Sequence, residues 1–406
     1  MKKTFAVSGV LALALTMAAC GGDDESADTS GGLAGDPVVL GVQSPDQGAG
    51  AYPQSTYGAE AAEWYINNEL GGIQGRPVEL DICSGDGSPE TGVKCGNDFV
   101  AADVPVVFDA YDQVATGAMT PLLKEARIPI VGTLAGQAVA EREEYGTAFY
   151  FTGPLETSAL GMVTVLSELG KTQAMLAVNE APSSHGYVDD LVKPLGERVG
   201  LAVEAAYVDV ENINYQVLAA TELAEDPDVA GVIALPEEAC TGLIQALRQG
   251  GYEGTIFAGS CSQFIDEVGA PAAGAIVQPR LWVPKSYDHA PAQVQEQLDD
   301  FTAAMEEVGY EDELSARSLY SFAGLVNLAN ILNGIDGDIT NETVKSAMES
   351  VADFETFLGP VVTCDGEQWP GIPGACSSQG IFFEVQDDGT LAPVEDDGYV
   401  ALEPEA

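Results

Sequence analysis

The sequence predicts an α/β protein made of two doubly wound parallel-sheet lobes, and three observations lead there. Short apolar runs alternate with helix-period segments from Val38 to Ala258. The runs are continuously apolar rather than alternating, as strands covered by helices on both faces are. The rhythm resumes after Phe151, so two βα series follow one another along the chain. With 406 residues, 46% hydrophobic and 19% charged, the chain has the length and composition for two or three packed domains.

In order, Val38–Val42 reads as the first strand, followed by a polar, Gly-rich loop from Gln43 to Tyr52. Ala61, Trp64, Tyr65 and Ile66 share a helical spacing within Tyr57–Leu70, which Gly71-Gly72 ends; Trp64 is a core residue on this reading. Strands follow at Val78–Ile82, Pro105–Phe108 and Ile128–Val131, with helices at Gly92–Ala102 and Thr116–Ala126. Pro105 is tolerable because it stands first in its strand. The second series reads as helices Ser158–Leu169, Gly186–Val199, Tyr215–Ala224 and Cys240–Gln249, interleaved with strands Ala174–Val178, Val203–Val208, Val229–Leu235 and Thr255–Ala258. After His289 the pattern turns helical, Ala292–Val308 and Ala316–Leu332, and Asp387-Asp388-Gly389 marks a hairpin. Parallel sheets of this kind receive ligands beyond the carboxyl ends of their strands.

The charge is lopsided: 15 Lys+Arg against 64 Asp+Glu, a formal net charge of −49. Nucleic acid is excluded as a partner, since phosphate binding rests on Lys and Arg, and so is docking on anionic lipid through a basic patch. Lys2 and Lys3 precede an apolar run, Phe5–Ala19, shorter than the roughly 20 residues of a spanning helix. It ends in Leu15-Thr16-Met17-Ala18-Ala19-Cys20 and resembles the lipobox of bacterial lipoproteins. The resemblance implies a signal peptide over 1–19, a lipid on Cys20, a flexible tether over 20–36, and a place on the extracytoplasmic face of the cell membrane, touched through the lipid alone. An ordinary signal peptide with an incidental cysteine is the competing reading.

Six cysteines remain, Cys83, Cys95, Cys240, Cys261, Cys364 and Cys376. An even count in an exported chain argues for disulfides, and their grouping suggests 83–95, 240–261 and 364–376 among the many pairings open. A metal site is not expected: there is no C-x-x-C, and His185 and His289 are the only histidines. No Walker loop, dinucleotide fingerprint or catalytic triad motif is present, so neither an enzyme nor a cofactor is expected.

The segments Leu40-Gly41-Val42-Gln43-Ser44-Pro45 and Tyr57-Gly58-Ala59-Glu60-Ala61-Ala62, and above all Asn67 to Leu80 with its "GGI.GRPVEL" pattern, resemble the branched-chain amino acid (Leu/Ile/Val) binding protein family. Pro121–Val131, Tyr320 and Phe357-Leu358-Gly359-Pro360 add to the match. These are type I periplasmic solute-binding proteins of ABC importers. The resemblance implies that fold, with a three-crossover hinge near Gly153, Val283 and Phe354. Residues 37–153 and 284–353 then form the N-terminal lobe, and 154–283 and 354–402 the C-terminal lobe. It also implies a monomer that closes over a small polar solute, an amino acid, amide or related metabolite, and delivers it to ABC permease subunits. The alternative is a sensory receptor of the same fold.

Carried onto this chain, the family's contacts fall on Tyr52, on Asp112 and Gln113, on Gly136 within Thr133–Gln137, on Glu156 and Thr157, on His185, on Glu237, and on Ser260 and Ser262. Ala110-Tyr111-Asp112-Gln113 stands where the family has a serine-rich carboxylate loop, which leaves room for amides, aromatic acids or polyols. Asp112 equally reads as a helix N-cap, His185 as part of a helix start, and Glu237 as an acid favouring a helix N-terminus. No Arg or Lys falls in the loops at 44–52, 112–113, 133–137 or 260–262. Neutral, zwitterionic or singly charged solutes are therefore expected over di- and tricarboxylates. Arg280 and Lys285, beside the second crossover, are the nearest bases that would alter this.

Overall fold

The first apolar run forms β1 (Val38–Ser44). It is followed by α1 (Gln54–Asn68), β2 (Val78–Ser84), α2 (Pro89–Ala102), β3 (Val107–Asp109), α3 (Ala115–Ala126), β4 (Ile130–Gly132), α4 (Ala138–Glu141) and β5 (Ala148–Tyr150). This computed structural model describes residues 32–48, 51–112, 115–135, 138–395 and 398–402; Cys20 and the leader, Gln113 and Gly136 lie outside the described residues. The strands form an all-parallel sheet, β2-β1-β3-β4-β5. Successive residues alternate between its faces: Val106 and Phe108 enter the core under α1, while Val107 packs with Phe99, Met119 and Leu123 of α2 and α3. Strand order reverses between β1 and β3, so the loops leaving those strands diverge and open a crevice.

The "GGI.GRPVEL" stretch shows why that pattern reads clearly. Gly71, Gly72 and Gly75 have φ of 74°, 70° and 73°, a region that favours glycine, and Ile73 and Arg76 exchange two backbone hydrogen bonds of 3.0 Å. A Cβ on Gly72 would collide with the Arg76 carbonyl. The turn therefore delivers Val78 in register with Val38.

The second series contains α5 (Leu155–Glu168), β6 (Gln173–Asn179), α6 (Pro182–Tyr187), α7 (Lys193–Val199), β7 (Ala202–Val208), α8 (Tyr215–Glu222), β8 (Val229–Ala234), α9 (Glu237–Gln249), β9 (Thr255–Phe257), α10 (Phe264–Val268) and β10 (Ile276–Val277). The single helix expected over 186–199 is instead two helices joined by a π turn at Val188–Val192. Pro194 gives the reason, because it has no N–H to return to the Asp190 carbonyl and its ring crowds that group.

Past β10 come α11 (Ala292–Glu307), α12 (Ala316–Asn333), α13 (Asn341–Glu349), β11 (Phe354–Glu355), β12 (Val361–Val362), β13 (Gln379–Ile381), β14 (Phe383–Val385), β15 (Leu391–Pro393) and β16 (Tyr399–Ala401). The second sheet runs β15-β14-β10-β9-β8-β6-β7, parallel from β10 to β7 and antiparallel at β14 and β15. The hairpin expected at Asp387–Gly389 is β14–β15.

α12 lies on α1 so closely that a Cβ on Gly58 would run into the Ser318 backbone, and Tyr65 on α1 donates to Asp300 on α11 at 2.8 Å. Residues between Phe354 and Cys376 also lie on this side. Tyr150 donates its N–H to the Gly374 carbonyl at 2.8 Å, and Cys376 donates to the Tyr150 carbonyl at 2.9 Å. These contacts put the chain's last passage toward the second sheet beyond Cys376 rather than near Phe354. The three disulfides join 83 to 95, 240 to 261 and 364 to 376, with Cα atoms 5.6, 6.5 and 4.3 Å apart, the local pairing expected.

Candidate functional site

The first wall of the crevice is built where β1, β3 and α12 converge. The loop after β1 turns back, Tyr52 donating its N–H to the Pro45 carbonyl at 2.6 Å. At the end of β3, Tyr111 takes φ of 65°, an uncommon left-handed conformation for a bulky residue. Its carbonyl accepts from Arg317 Nη1 at 2.7 Å. The Arg317 guanidinium lies between two rings, 3.9 Å from the centre of Tyr52 and 4.3 Å from that of Tyr111, each face meeting the negative face of an aromatic. Tyr320, one turn further along α12, meets Tyr111 edge-on at 6.1 Å and donates its hydroxyl to the Pro279 carbonyl at 2.7 Å. Ser315 and Ser318 form a capping box that fixes the start of α12 and hence the position of Arg317.

The facing wall is the start of α5. Glu156 pairs with Arg142 through Oε1, while its Oε2 is buried without a partner, as are Thr157 Oγ1 and Ser158 Oγ. Glu141 receives the Leu155 N–H; burial, with the Glu156 charge adding, pushes its carboxyl up to about 8, against Arg280 and Arg142. Arg280, at φ 71°, reaches back with Nη1 3.5 Å from the Gly153 carbonyl. The half-buried Tyr187, ending α6, completes this wall. Burial raises its hydroxyl pKa, opposed by Arg280 and assisted by Glu156 and Tyr111. Gln278, just past β10, has a buried Nε2 without a partner.

The acids singled out from the sequence are already engaged within the protein. Asp112 accepts from Gln43 Nε2 at 2.7 Å and from the Ala115 N–H at 2.8 Å, so it caps α3. Beneath it, burial holds the Asp109 carboxyl up at about 7, in reach of the Tyr150 hydroxyl at 3.1 Å. Glu237 accepts the Ser262 and Gln263 N–H groups at 3.1 Å, and burial raises its pKa. Ser260 is exposed, and Ser262 contributes its backbone to this turn. His185 is half-exposed, stacked on Tyr207 at 3.8 Å and bonded to Glu180 at 2.8 Å, a bond that raises its pKa.

Of the expected residues, Tyr52 lies beside Arg317 and Tyr111 on the first wall, and Glu156 and Thr157 begin α5 on the facing wall; Tyr111, Tyr187 and Arg317 are not among the expected residues. Arg280, noted only as a base near the second crossover, meets the Gly153 carbonyl, while Lys285 pairs with Asp266 at 2.6 Å. One signal was available: Arg317 precedes the already noted Tyr320 by three residues, the spacing of one helix face. Among the described residues no cluster of His, Cys, Asp and Glu is arranged to hold a metal, and no helix is long and apolar enough to cross a membrane.

Residues 37–371 match the family model described as periplasmic binding protein. A sequence comparison with curated proteins finds no match. Among solved structures, an ABC transporter substrate-binding protein of Aeropyrum pernix aligns with a TM-score of 0.72 at 17% identity, covering 91% of this chain and 97% of that one. The leucine-binding protein LivK of Thermotoga maritima aligns at 0.69 and 14% identity, covering 88% and 97%. The branched-chain amino acid transporter substrate-binding protein LivJ of Streptococcus pneumoniae, solved with isoleucine, aligns at 0.68 and 15%, covering 88% and 99%. The chain belongs to the periplasmic binding protein family and has the type I fold it shares with branched-chain amino acid binding proteins.

Proposed function

We propose that this chain is an extracytoplasmic, lipid-anchored solute-binding protein that captures a small polar solute between the two walls and delivers it to an ABC permease. The observation that carries the capture is the convergence of Tyr52, Tyr111 and Arg317 with Glu156, Tyr187 and Arg280 beside the carboxyl ends of parallel strands. Buried polar groups left unmet on the second wall suit a ligand that brings its own hydrogen bonds. LivK is a leucine-binding protein and LivJ was solved with isoleucine, which favours an amino acid or related metabolite as the solute class. In this reading Tyr52, Glu156 and Thr157 contact the solute, while Asp112 and Glu237 hold the loops.

A thermal-shift screen of amino acids, amides, aromatic acids and sugars tests the capture. At 100 times its dissociation constant a ligand adds about 2.7 kcal/mol to the unfolding free energy. If nothing in a broad metabolite library shifts melting, the reading fails. The anchor is tested separately by palmitate labelling, which Cys20→Ala is expected to abolish.

A further inference from the structure

The chain has 15 basic and 64 acidic residues, yet among the described residues Arg76, Arg127, Arg248, Arg280 and Arg317 have no ion pair, so what sets an arginine apart here is what its guanidinium does bond. Lys124, Lys193 and Lys285 each lie within 3.1 Å of an acid. Arg76 and Arg248 lack one but direct their N–H groups onto backbone carbonyls, two from Arg76 and three from Arg248. Arg317 and Arg280 each bond a single backbone carbonyl, with no ion pair among the described residues, and Arg317 alone also lies against two aromatic rings.

The geometry points to Arg317, with Arg280 across the crevice, as a clamp for a carboxylate on the solute. This rests on the solute-binding reading and adds to it the chemistry of the anchoring group. Tyr52 and Tyr111 cover both faces of the Arg317 guanidinium, and the Tyr111 carbonyl occupies Nη1. Among the described residues Nε and Nη2 have no hydrogen-bond partner, and a carboxylate matches that edge with two parallel hydrogen bonds. The rings also fix the guanidinium in advance, so little side-chain entropy is lost on binding.

Two of the acids near the crevice are held by backbone or amide donors, Asp112 by Gln43 and Ala115 and Glu237 by Ser262 and Gln263, and Glu156 is paired with Arg142 through Oε1 alone. Arg280 follows Pro279, whose carbonyl takes the Tyr320 hydroxyl at 2.7 Å, and Tyr320 lies one turn beyond Arg317 on α12, so one side chain connects the two segments. The loops at 44–52, 112–113, 133–137 and 260–262 hold no Arg or Lys, and Arg317 comes instead from α12.

The test is titration calorimetry on the full chain with paired probes: leucine and leucinamide, phenylacetate and phenylacetamide, and glutarate. The acid of at least one pair should bind at least about tenfold more tightly than its amide, the scale of a hydrogen bond to a charged group. Arg317→Gln and Arg280→Gln should each remove most of that difference, and Arg317→Lys should not restore it, since a point charge lacks the fork. Circular dichroism and apo melting establish that the variants fold, and the acid–amide comparison needs no variant. An amide that binds as well as its acid, or acid binding that survives both glutamine substitutions, overturns the clamp while leaving solute capture standing. Failure of every probe, together with failure of the broad screen, overturns both.

Discussion

On the wall carried by the five-stranded sheet, Arg317 is held by two rings and a carbonyl before any ligand arrives. On the facing wall, Glu156 Oε2, Thr157 Oγ1, Ser158 Oγ and Gln278 Nε2 are buried with nothing to bond. A buried polar group left unmet costs about 1–3 kcal/mol, and the first wall has its own in Gln43 Oε1, Asp46 Oδ1 and Ser321 Oγ, so what distinguishes it is the guanidinium held between aromatic rings. The first wall supplies a fixed, pre-oriented cation, and both walls hold buried groups that a bound ligand could meet.

The largest effect is expected from unfastening the second wall. Cys240–Cys261 ties the start of α9 to the loop bearing Ser262, across a sequence separation of 21 residues. In the chain-entropy model a bridge of this span contributes about 3 kcal/mol, so the Cys240→Ala/Cys261→Ala double variant should lose about that much in urea unfolding. A loss near zero would mean that the loop holds its shape without the bridge.

The next effect is pH dependence, and here the walls part again. The folded Glu141 keeps its proton up to about 8, while the unfolded carboxyl releases it near its ordinary value. Across that interval the folded state binds more protons, so stability falls as pH rises. Between pH 6 and 7.5 the loss is about 2 kcal/mol, and Glu141→Gln should flatten it. Asp109, behind the first wall, acts in the same direction but only to about pH 7. Asp109→Asn should therefore flatten the lower part of the slope and leave the part above pH 7 intact. Melting curves of the two variants from pH 5 to 8 distinguish the two carboxyls, and a slope unchanged in Glu141→Gln would show that its burial is relieved by water.

Much of the sheet scaffold is legible in the sequence because buried parallel strands are continuously apolar and their helices amphipathic. Val38–Ser44 and Gln173–Asn179 stand out for that reason. Ile276–Val277 and Ala148–Tyr150 do not, since two or three residues carry no period. The site was legible on one side of each contact. Tyr52 follows a readable strand and a Gly-rich loop, but its partner Arg317 lies on another element and meets it only through α12 packing on α1. Asp112 caps α3, and the left-handed backbone at the preceding Tyr111 goes with a ring and carbonyl that meet Arg317. His185 and Tyr187 are two residues apart on one helix, and the sequence alone does not say which of them faces inward.

A smaller effect, of opposite sign, is expected on the second wall. Thr157→Val keeps the shape and removes a buried hydroxyl that has no partner. The apo protein should gain about 1 kcal/mol, while affinity for the solute should fall. A destabilised apo Thr157→Val would mean that the hydroxyl is satisfied by water.

The smallest expected effect tests whether the first wall is really set in advance. Tyr52 is 40% exposed, and its ring covers one face of Arg317. A cation–π contact at an exposed position is worth about 0.5–1 kcal/mol, so Tyr52→Leu should lower apo stability by about that amount. Comparing Tyr52→Leu, Arg317→Met and the double variant isolates the pair, because each single change removes the contact and the double change shows what is shared. Tyr111 is the poorer choice for this cycle, since replacing it also disturbs a left-handed turn and the edge contact with Tyr320. If the rings orient the guanidinium for a ligand, Tyr52→Leu should weaken solute binding by more than the stability loss alone predicts. The released side chain then has to be ordered at the moment of binding. Equal losses in the two measurements would mean that Tyr52 covers Arg317 without aiming it.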